Sequence, residues 1–236
     1  MKSTPDYLKF IIIVLAIIVG LLIACALYGA IVIKDNNLVL NQATSAAKSD
    51  LVAKGLVTVR QETTSTKPAA NILSPALGPA AAPVTIYEYA SFDCSFSQEM
   101  QTALDSVRHA YPTAVRLVWK DLPSSANSPV YRAHVAARCA QEQGKFWDYA
   151  ALLWKSQNDF SPANLIKLAQ GLKLDLKGFK SCQADKNIAA LVDNDVSEAD
   201  RLALDVTPYF FIGDQVARGW TDEAELKKMV EEELKK

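Results

Sequence analysis

The stretch that decides the fold runs from Val84 to Met100 and reads VTIYEYASFDCSFSQEM. Its first half is rich in β-branched and aromatic residues, which is typical of a buried strand. Its second half begins a helix, because apolar residues recur at helical spacing: Phe96, Met100, Leu104 and Val107. This helix should end near Tyr111 and Pro112. The sequence therefore predicts a strand that runs directly into a helix, with Cys94 at the junction.

Cys94 lies in the first turn of the predicted helix. The backbone N–H groups of a first turn have no partner within the helix, and together they act like about half a positive charge. This charge favours a thiolate over a thiol, and the thiolate is the nucleophilic form of cysteine. Asp93 and Phe96 limit the effect, because a carboxylate repels the thiolate and an apolar ring offers it no charge. We interpret Cys94 as a nucleophile, and the alternative is an inert cysteine.

The composition argues against several functional classes. The chain has 25 Lys and Arg residues against 26 Asp and Glu residues, a balance that gives no indication of nucleic-acid binding. Its four cysteines and two histidines show no spacing typical of a zinc site, so we expect neither a metal nor a cofactor. His109 and His134 are predicted to lie on helix surfaces. Neither belongs to a hydrolase signature around Cys94.

Residues 10–33 carry no charge and are apolar, and they exceed the ~20 residues that cross a bilayer as a helix. A cleaved signal peptide has a shorter apolar region, so we predict an uncleaved signal anchor. Lys2 and Lys9 then place residues 1–9 in the cytoplasm and the rest of the chain outside it. Residues 22–25 loosely resemble a bacterial lipobox, which would make Cys25 a lipidated cysteine. The continuing apolar run favours a membrane helix instead.

Residues 34–82 read as a partly flexible linker, and a folded domain is predicted over residues 83–236. Residues 62–70 contain Thr, Ser and Pro with little apolar content, which is typical of a tether. Within the domain, the patterns predict these elements in order: a strand at 114–120, a helical block at 124–182, a helix at 185–204, a strand at 206–212, a turn at Gly213-Asp214, a return strand at 215–218, and a final helix capped by Thr221. This order predicts an α/β domain with a helical insertion.

Four segments of the chain resemble the DsbA-like branch of the thioredoxin superfamily. They are the strand that leads to Cys94-Ser95-Phe96-Ser97, the lead-in at 74–85, Gln141 to Trp147, and Val206-Thr207-Pro208. The resemblance covers about residues 77–236 and implies a thioredoxin fold with an inserted helical subdomain. It also implies that Glu88 accepts or relays a proton beneath the active site, where the alternative is a strand-end acid that faces water. Phe96, Thr207 and Pro208 would contact substrate, with Pro208 in a cis-proline loop whose backbone pairs with an extended peptide.

The chain departs from this family at position 97, where the family has a second cysteine and this chain has a serine. Residues three apart on a helix share a face, so Ser97 lies beside Cys94 and can donate a hydrogen bond to its thiolate. A hydroxyl cannot attack a mixed disulfide, which predicts isomerase-like or monothiol exchange rather than dithiol oxidation. Two alternatives stay open: the serine is a replacement that traps substrates in a dithiol oxidase, or the domain binds peptides without redox activity.

Cys139 and Cys182 fall in two different predicted helices of the insertion. We expect a disulfide between them, which fits an oxidising compartment, and the alternative is two buried free thiols. With about 40 residues between them, loop-closure entropy would contribute about 4 kcal/mol.

The predictions combine into a single-pass membrane protein whose catalytic domain lies on the periplasmic or extracellular face. Its expected partners are cysteine-containing protein substrates, a membrane or soluble thiol redox partner, and the membrane itself through residues 10–33.

Overall fold

The computed structural model describes residues 67–69 and 71–236. The predicted cytoplasmic segment 1–9, the predicted membrane segment 10–33 and most of the predicted linker lie outside the described residues. Within the described ranges, none of the helices is both long and apolar enough to cross a bilayer.

A five-stranded sheet forms the frame of the domain. Its strands are β1 (Ala76–Leu77), β2 (Val84–Ala90), β3 (Val115–Asp121), β4 (Tyr209–Ile212) and β5 (Gln215–Arg218), and their order across the sheet is β1-β3-β2-β4-β5. Strands β2 and β3 are parallel, and the other neighbouring pairs are antiparallel. The central strand β2 therefore ends beside the start of β4, where Tyr89 pairs with Tyr209. This pairing brings two distant loops together.

The sheet begins earlier than the sequence predicted. The predicted linker reaches residue 82, yet Ala76 and Leu77 pair with Val118 and Leu117 of β3. Gly78 follows this short strand with a φ of +94°, and a Cβ at this position would lie 2.3 Å from the carbonyl oxygen of Val115. Only glycine fits such a close approach of two backbones.

Seven helices complete the described part of the chain: α1 (Ser95–Ala110), α2 (Pro129–Glu142), α3 (Phe146–Trp154), α4 (Pro162–Gly171), α5 (Leu176–Gln183), α6 (Lys186–Arg201) and α7 (Glu223–Leu234). Helices α2 to α5 form the predicted helical insertion. The cap of α7 differs from the prediction, because the carboxylate of Asp222 accepts the backbone N–H of Ala224 at 2.8 Å. Thr221 instead donates its hydroxyl to the carbonyl of Gly219.

The described residues form two large apolar cores and a smaller cluster of Tyr89, Ala199 and Phe211. The first joins one face of the sheet to α1 and α7 through buried side chains that include Ile86, Leu104 and Leu226. The second fills the insertion and is strongly aromatic, with Phe92 stacked on Trp119 at a centroid distance of 5.0 Å. Buried rings of this size dominate the hydrophobic stabilisation of a core.

The insertion is cross-linked by a disulfide between Cys139 of α2 and Cys182 of α5. The S–S distance is 2.02 Å and the Cα–Cα distance is 5.7 Å, both within the ordinary range for a disulfide. Cys139 is fully buried in the insertion core.

A buried charge network joins the sheet to the insertion and to α6. Asp121, at the end of β3, accepts hydrogen bonds from Arg138 Nε at 2.5 Å and from Trp119 Nε1 at 2.7 Å. Arg138 also contacts Asp195 at 2.6 Å through Nη2. Burial alone would raise the pKa of Asp121, but Arg138 and His134 outweigh it and lower that pKa.

The prediction that His134 lies on a helix surface is wrong. Its side chain is fully buried, and its Nδ1 lies 2.7 Å from the carboxylate of Asp121. Helix α2 is buried on most of its faces. The apolar residues of its sequence indicated a single buried face, so they did not reveal that the face with His134 is buried as well. His109, in contrast, is exposed as predicted.

Candidate active site

Cys94 is the N-cap of α1, directly before the first turn in which the sequence predicted it. Its backbone is extended, its carbonyl accepts the N–H of Gln98 at 3.2 Å, and its side chain makes no capping hydrogen bond within the described residues. The half-buried thiol instead donates to the carbonyl oxygen of Thr207 at 3.2 Å. The sulfur therefore sits at the positive end of a 16-residue helix and faces the loop before β4.

Thr207 and Pro208 form the wall opposite the sulfur. The peptide bond between them is cis, Pro208 is buried and Thr207 is half-buried. The carbonyl of Pro208 accepts the N–H of Gly219 at 2.8 Å, which ties this loop to the end of β5. Phe96, in the first turn of α1, is 52 % exposed. The structure thus brings Cys94 together with Thr207, in the same region of the surface as Phe96.

Ser97 does not make the hydrogen bond that the sequence predicted. Its side chain is fully buried, and its hydroxyl has no hydrogen-bond partner among the described residues, the sulfur of Cys94 included. The carbonyl of Ser97 accepts the side-chain amide of Gln101 at 3.1 Å. The expected stabilisation of a Cys94 thiolate by Ser97 is therefore not present in this arrangement.

Glu88 is buried in the middle of the domain and does not face water. Its Oε1 accepts the amide of Gln101 at 2.8 Å, and its Oε2 has no partner in the part of the chain that the structure describes. Burial raises the pKa of Glu88 to about 8, with a further increase from Asp105 and an opposing effect from Gln101. Since Gln101 contacts both Glu88 and the backbone of Ser97, the carboxyl lies under the first turns of α1, where it can hold a proton near neutral pH.

Gln157 is a site residue that the sequence did not reveal. It lies in the turn between α3 and α4, and its Nε2 donates to the carbonyls of Phe92 and Cys94 at 2.9 and 3.1 Å. These partners are 65 and 63 positions away in the chain. No local pattern distinguishes a glutamine with such distant partners from a surface glutamine.

A cleft of about 290 Å³ with mixed polar and apolar walls opens beside Asp93, next to the nucleophile. It is lined by Asp93, Ser124, Ser128, Pro129, Val130, Gln157, Asn158 and Phe160. The carboxylate of Asp93 accepts hydrogen bonds from Ser124 at 2.5 Å and from Ser91. As for metals, no group of three or more His, Cys, Asp or Glu side chains is placed to hold an ion within residues 67–69 and 71–236.

Solved structures with the same fold come from several bacteria. BdbD from Bacillus subtilis in its oxidised form is 22% identical, with a TM-score of 0.63 over 70% of this chain and 94% of that chain. The thiol-disulfide exchange protein alpha-DsbA2 from Wolbachia pipientis is 16% identical, with a TM-score of 0.62 over 80% of this chain and 97% of that chain. The catalytic domain of Proteus mirabilis ScsC is 18% identical, with a TM-score of 0.62 over 79% and 98%. At these identities the likeness shows the fold.

Curated relatives match over a shorter stretch. The Na(+)/H(+) antiporter NhaA 3 of Salinispora tropica is 39% identical over 136 residues, which is 57% of this chain and 21% of the antiporter. NhaA 1 of Salinispora arenicola is 36% identical over the same shares. The chain thus matches about a fifth of the length of these relatives.

The family model described as thioredoxin matches residues 71–232, which include all five strands, helices α1 to α6 and most of α7. The chain therefore belongs to the thioredoxin family, and helices α2 to α5 form a subdomain inserted between β3 and α6.

Proposed function

We propose that this protein is a membrane-tethered thiol–disulfide exchange protein that acts on cysteine-containing protein substrates through Cys94. The observation that carries the proposal is the position of the sulfur, at the N-terminus of α1 and 3.2 Å from the carbonyl of Thr207. An extended peptide that pairs with the backbone of Thr207, next to the cis-proline, would bring its own sulfur to Cys94.

The proposed reaction has two steps that balance in atoms and electrons. The Cys94 thiolate attacks one sulfur of a substrate disulfide, a Cys94–substrate disulfide forms, and the other substrate sulfur leaves as a thiolate. A second thiolate then attacks the mixed disulfide and Cys94 leaves. Ser97 cannot supply that thiolate, so it comes from the substrate or from a separate thiol partner. When it comes from the substrate, the outcome is isomerisation without net oxidation.

Glu88 is proposed as the proton holder of the site. A carboxyl whose pKa is raised to about 8 by burial is partly protonated at neutral pH, so it can give up or take up a proton as the sulfur changes state. Gln101 connects this carboxyl to the backbone of Ser97, at the position where the family has its second cysteine.

A binding module of the same fold is the second candidate. Phe96, in the first turn of α1 two residues after Cys94, is a large apolar side chain with an exposed fraction of 52 %, which leaves it available to contact a docked peptide. In this alternative the domain docks extended peptides for assembly or chaperoning, and Cys94 does not exchange. A third reading is a dithiol oxidase in which Ser97 replaces the second cysteine and so traps substrates.

Capture of partners under non-reducing conditions separates these candidates. We expect mass spectrometry to find covalent adducts at Cys94 that a reductant releases and that are absent from the Cys94→Ser variant. Ser97→Cys should gain an internal disulfide and dithiol oxidase activity if the rest of the machinery is intact. A Cys94 that neither forms adducts nor reacts with iodoacetamide, in a protein that still binds peptides, would replace the exchange proposal with the binding module.

The membrane attachment is a separate part of the proposal. It is supported by the uncharged apolar run at residues 10–33 and by the disulfide of the insertion, since stable disulfides are typical of oxidising compartments. We expect the full chain to stay in the membrane fraction after alkaline washing and a chain without residues 2–33 to be released. Protease added outside intact cells or spheroplasts should digest the domain, and protection of the domain would contradict the proposed orientation.

A further inference from the structure

We propose that Gln157 is a positioning residue for Cys94, an inference that rests on the exchange function proposed above. Its side-chain amide donates to the carbonyl of Phe92 at 2.9 Å and to the carbonyl of Cys94 at 3.1 Å. These carbonyls belong to the Phe92–Asp93 and Cys94–Ser95 peptide units, so one side chain contacts the backbone before Asp93 and the backbone after the nucleophile.

The chemistry of the two acceptors explains why an amide is needed. Carbonyl oxygens only accept, and a primary amide provides two N–H groups on one nitrogen, one for each carbonyl. The carbonyl of Cys94 also accepts the N–H of Gln98, which is the first backbone hydrogen bond of α1. Gln157 therefore connects the loop, the nucleophile and the start of the helix that polarises it.

Gln157 is itself held by the insertion core. Trp154, three residues earlier, is buried and packs on the ring of Phe92 at a centroid distance of 4.9 Å, and Phe160 is buried three residues later. The N–H of Phe92 faces Nε2 of His134 at 3.4 Å. Phe92 is thus fixed at its ring, its N–H and its carbonyl by the same subdomain. Through Gln157, the helical insertion sets the direction in which the Cys94 sulfur points.

The effect of losing this anchor follows from the demands of in-line sulfur attack. A misplacement of about 1 Å in a reacting group can cost about 10²-fold in rate. We expect Gln157→Leu, which keeps the volume but removes both donors, to slow the reaction of Cys94 with glutathione disulfide by at least about 10-fold.

Gln143→Leu is the matched control. Gln143 lies in the same insertion and its amide also bonds to backbone, to the N–H and carbonyl of Asp175 at 2.8 and 3.2 Å. Its removal should leave the exchange rate within about twofold of wild type if only the loop anchor matters. Circular dichroism and thermal unfolding of both variants check that the fold is retained.

A second variant tests the hydrogen bond itself and does not depend on how well the first one folds. In Gln157→Glu the protonated carboxyl can still donate one hydrogen bond, whereas the carboxylate can only repel the two carbonyl oxygens. The ratio of the variant's exchange rate to that of wild type should therefore fall as pH rises from about 4 to about 8. Asn158→Asp places a carboxylate in the same cleft without removing the Gln157 amide, so its ratio should fall much less.

The outcomes separate this inference from the proposed function. Wild-type protein that fails to exchange with glutathione disulfide would overturn both. Wild-type protein that exchanges, with Gln157→Leu as fast as wild type, would overturn this inference alone. A Gln157→Glu ratio that is flat with pH, or one that merely matches the Asn158→Asp ratio, would also overturn it.

Discussion

Glu88 of β2 and Ser97 in the first turn of α1 are two fully buried polar side chains, and each has an oxygen that lacks a hydrogen-bond partner within the described residues. Buried polar atoms without partners cost free energy, and a catalytic role is one explanation for such atoms in a folded protein. Gln101 contacts both residues and makes them one site.

The raised pKa of Glu88 predicts how stability depends on pH. Below about pH 4.5 the carboxyl is protonated in both the folded and the unfolded chain. Between that value and about 8 the folded chain keeps a proton that the unfolded chain has lost, so the free energy of unfolding decreases as pH rises. We expect Glu88→Gln to remove most of this decrease, which is on the order of a few kcal/mol. Urea unfolding at about pH 5 and about pH 8 measures it.

Glu232→Gln serves as the control for this prediction, because it removes a carboxylate from the exposed face of α7. It should keep the pH dependence of the wild-type protein. If Glu88→Gln also keeps that dependence in full, Glu88 is not the group responsible.

The sequence predicted these site residues unevenly. Cys94 and Glu88 stand out because one lies at a strand–helix junction and the other interrupts an apolar strand. The expected hydrogen bond between Ser97 and Cys94 does not form, because a shared helix face does not fix the direction in which a hydroxyl points. His134 and Gln157 depend on partners far along the chain, and single-sequence periodicity holds no information about such contacts.

Among the elements, the regular ones were predictable and the irregular ones were not. The return strand at 215–218 matches β5, because Gly213 with a φ of +59° permits the tight turn that the sequence signals. Strand β1 has only two residues, too few to show an alternating pattern. The helix predicted over 185–204 ends at Arg201, since Ala203 takes a positive φ of 55° that stops it.

The disulfide between α2 and α5 leads to a prediction about the stability of the domain. Replacing Cys139 and Cys182 together by alanine should lower the free energy of unfolding by about 2–4 kcal/mol, because the unfolded chain regains the freedom that the cross-link removes. Denaturant unfolding with and without a reductant measures the loss, and the double variant should no longer respond to the reductant.

The same double variant tests whether the insertion disulfide takes part in exchange. Alkylation of Cys94 should proceed at the wild-type rate as long as the insertion stays folded, since Cys139 and Cys182 are bonded to each other and not to Cys94. Loss of Cys94 reactivity in a variant that is still folded would contradict this separation.

For the whole molecule, the buried charge network decides how the sheet and the insertion hold together. Arg138 is 2 % exposed and links Asp121 of β3 to Asp195 of α6. It also donates to the carbonyl of Leu73, ahead of β1. One guanidinium thus connects three parts of the chain that are distant in sequence.

Arg138→Met should be strongly destabilising, because it removes the guanidinium that pairs with both Asp121 and Asp195 and leaves Asp195 with Lys120 alone. Breaking a buried pair in this way costs about 3–5 kcal/mol, which denaturant unfolding would detect as a large shift of the midpoint. Arg218→Met is the control, since Arg218 pairs with Asp205 on the surface and should change stability little. Equal losses in the two variants would contradict a structural role for the network.

Because Cys94 is unpaired within the described residues, the lifetime of a conjugate on its sulfur depends on the surroundings of the protein. Cys94 is the one cysteine in the described part of the chain that is not already paired with another. If the proposed exchange holds, a conjugate whose partner carries no further sulfhydryl has a half-life inversely proportional to the concentration of small sulfhydryl compounds around it. Where these compounds are scarce the conjugate persists, and where they are abundant it is short-lived. The compartment then determines the half-life of the conjugate.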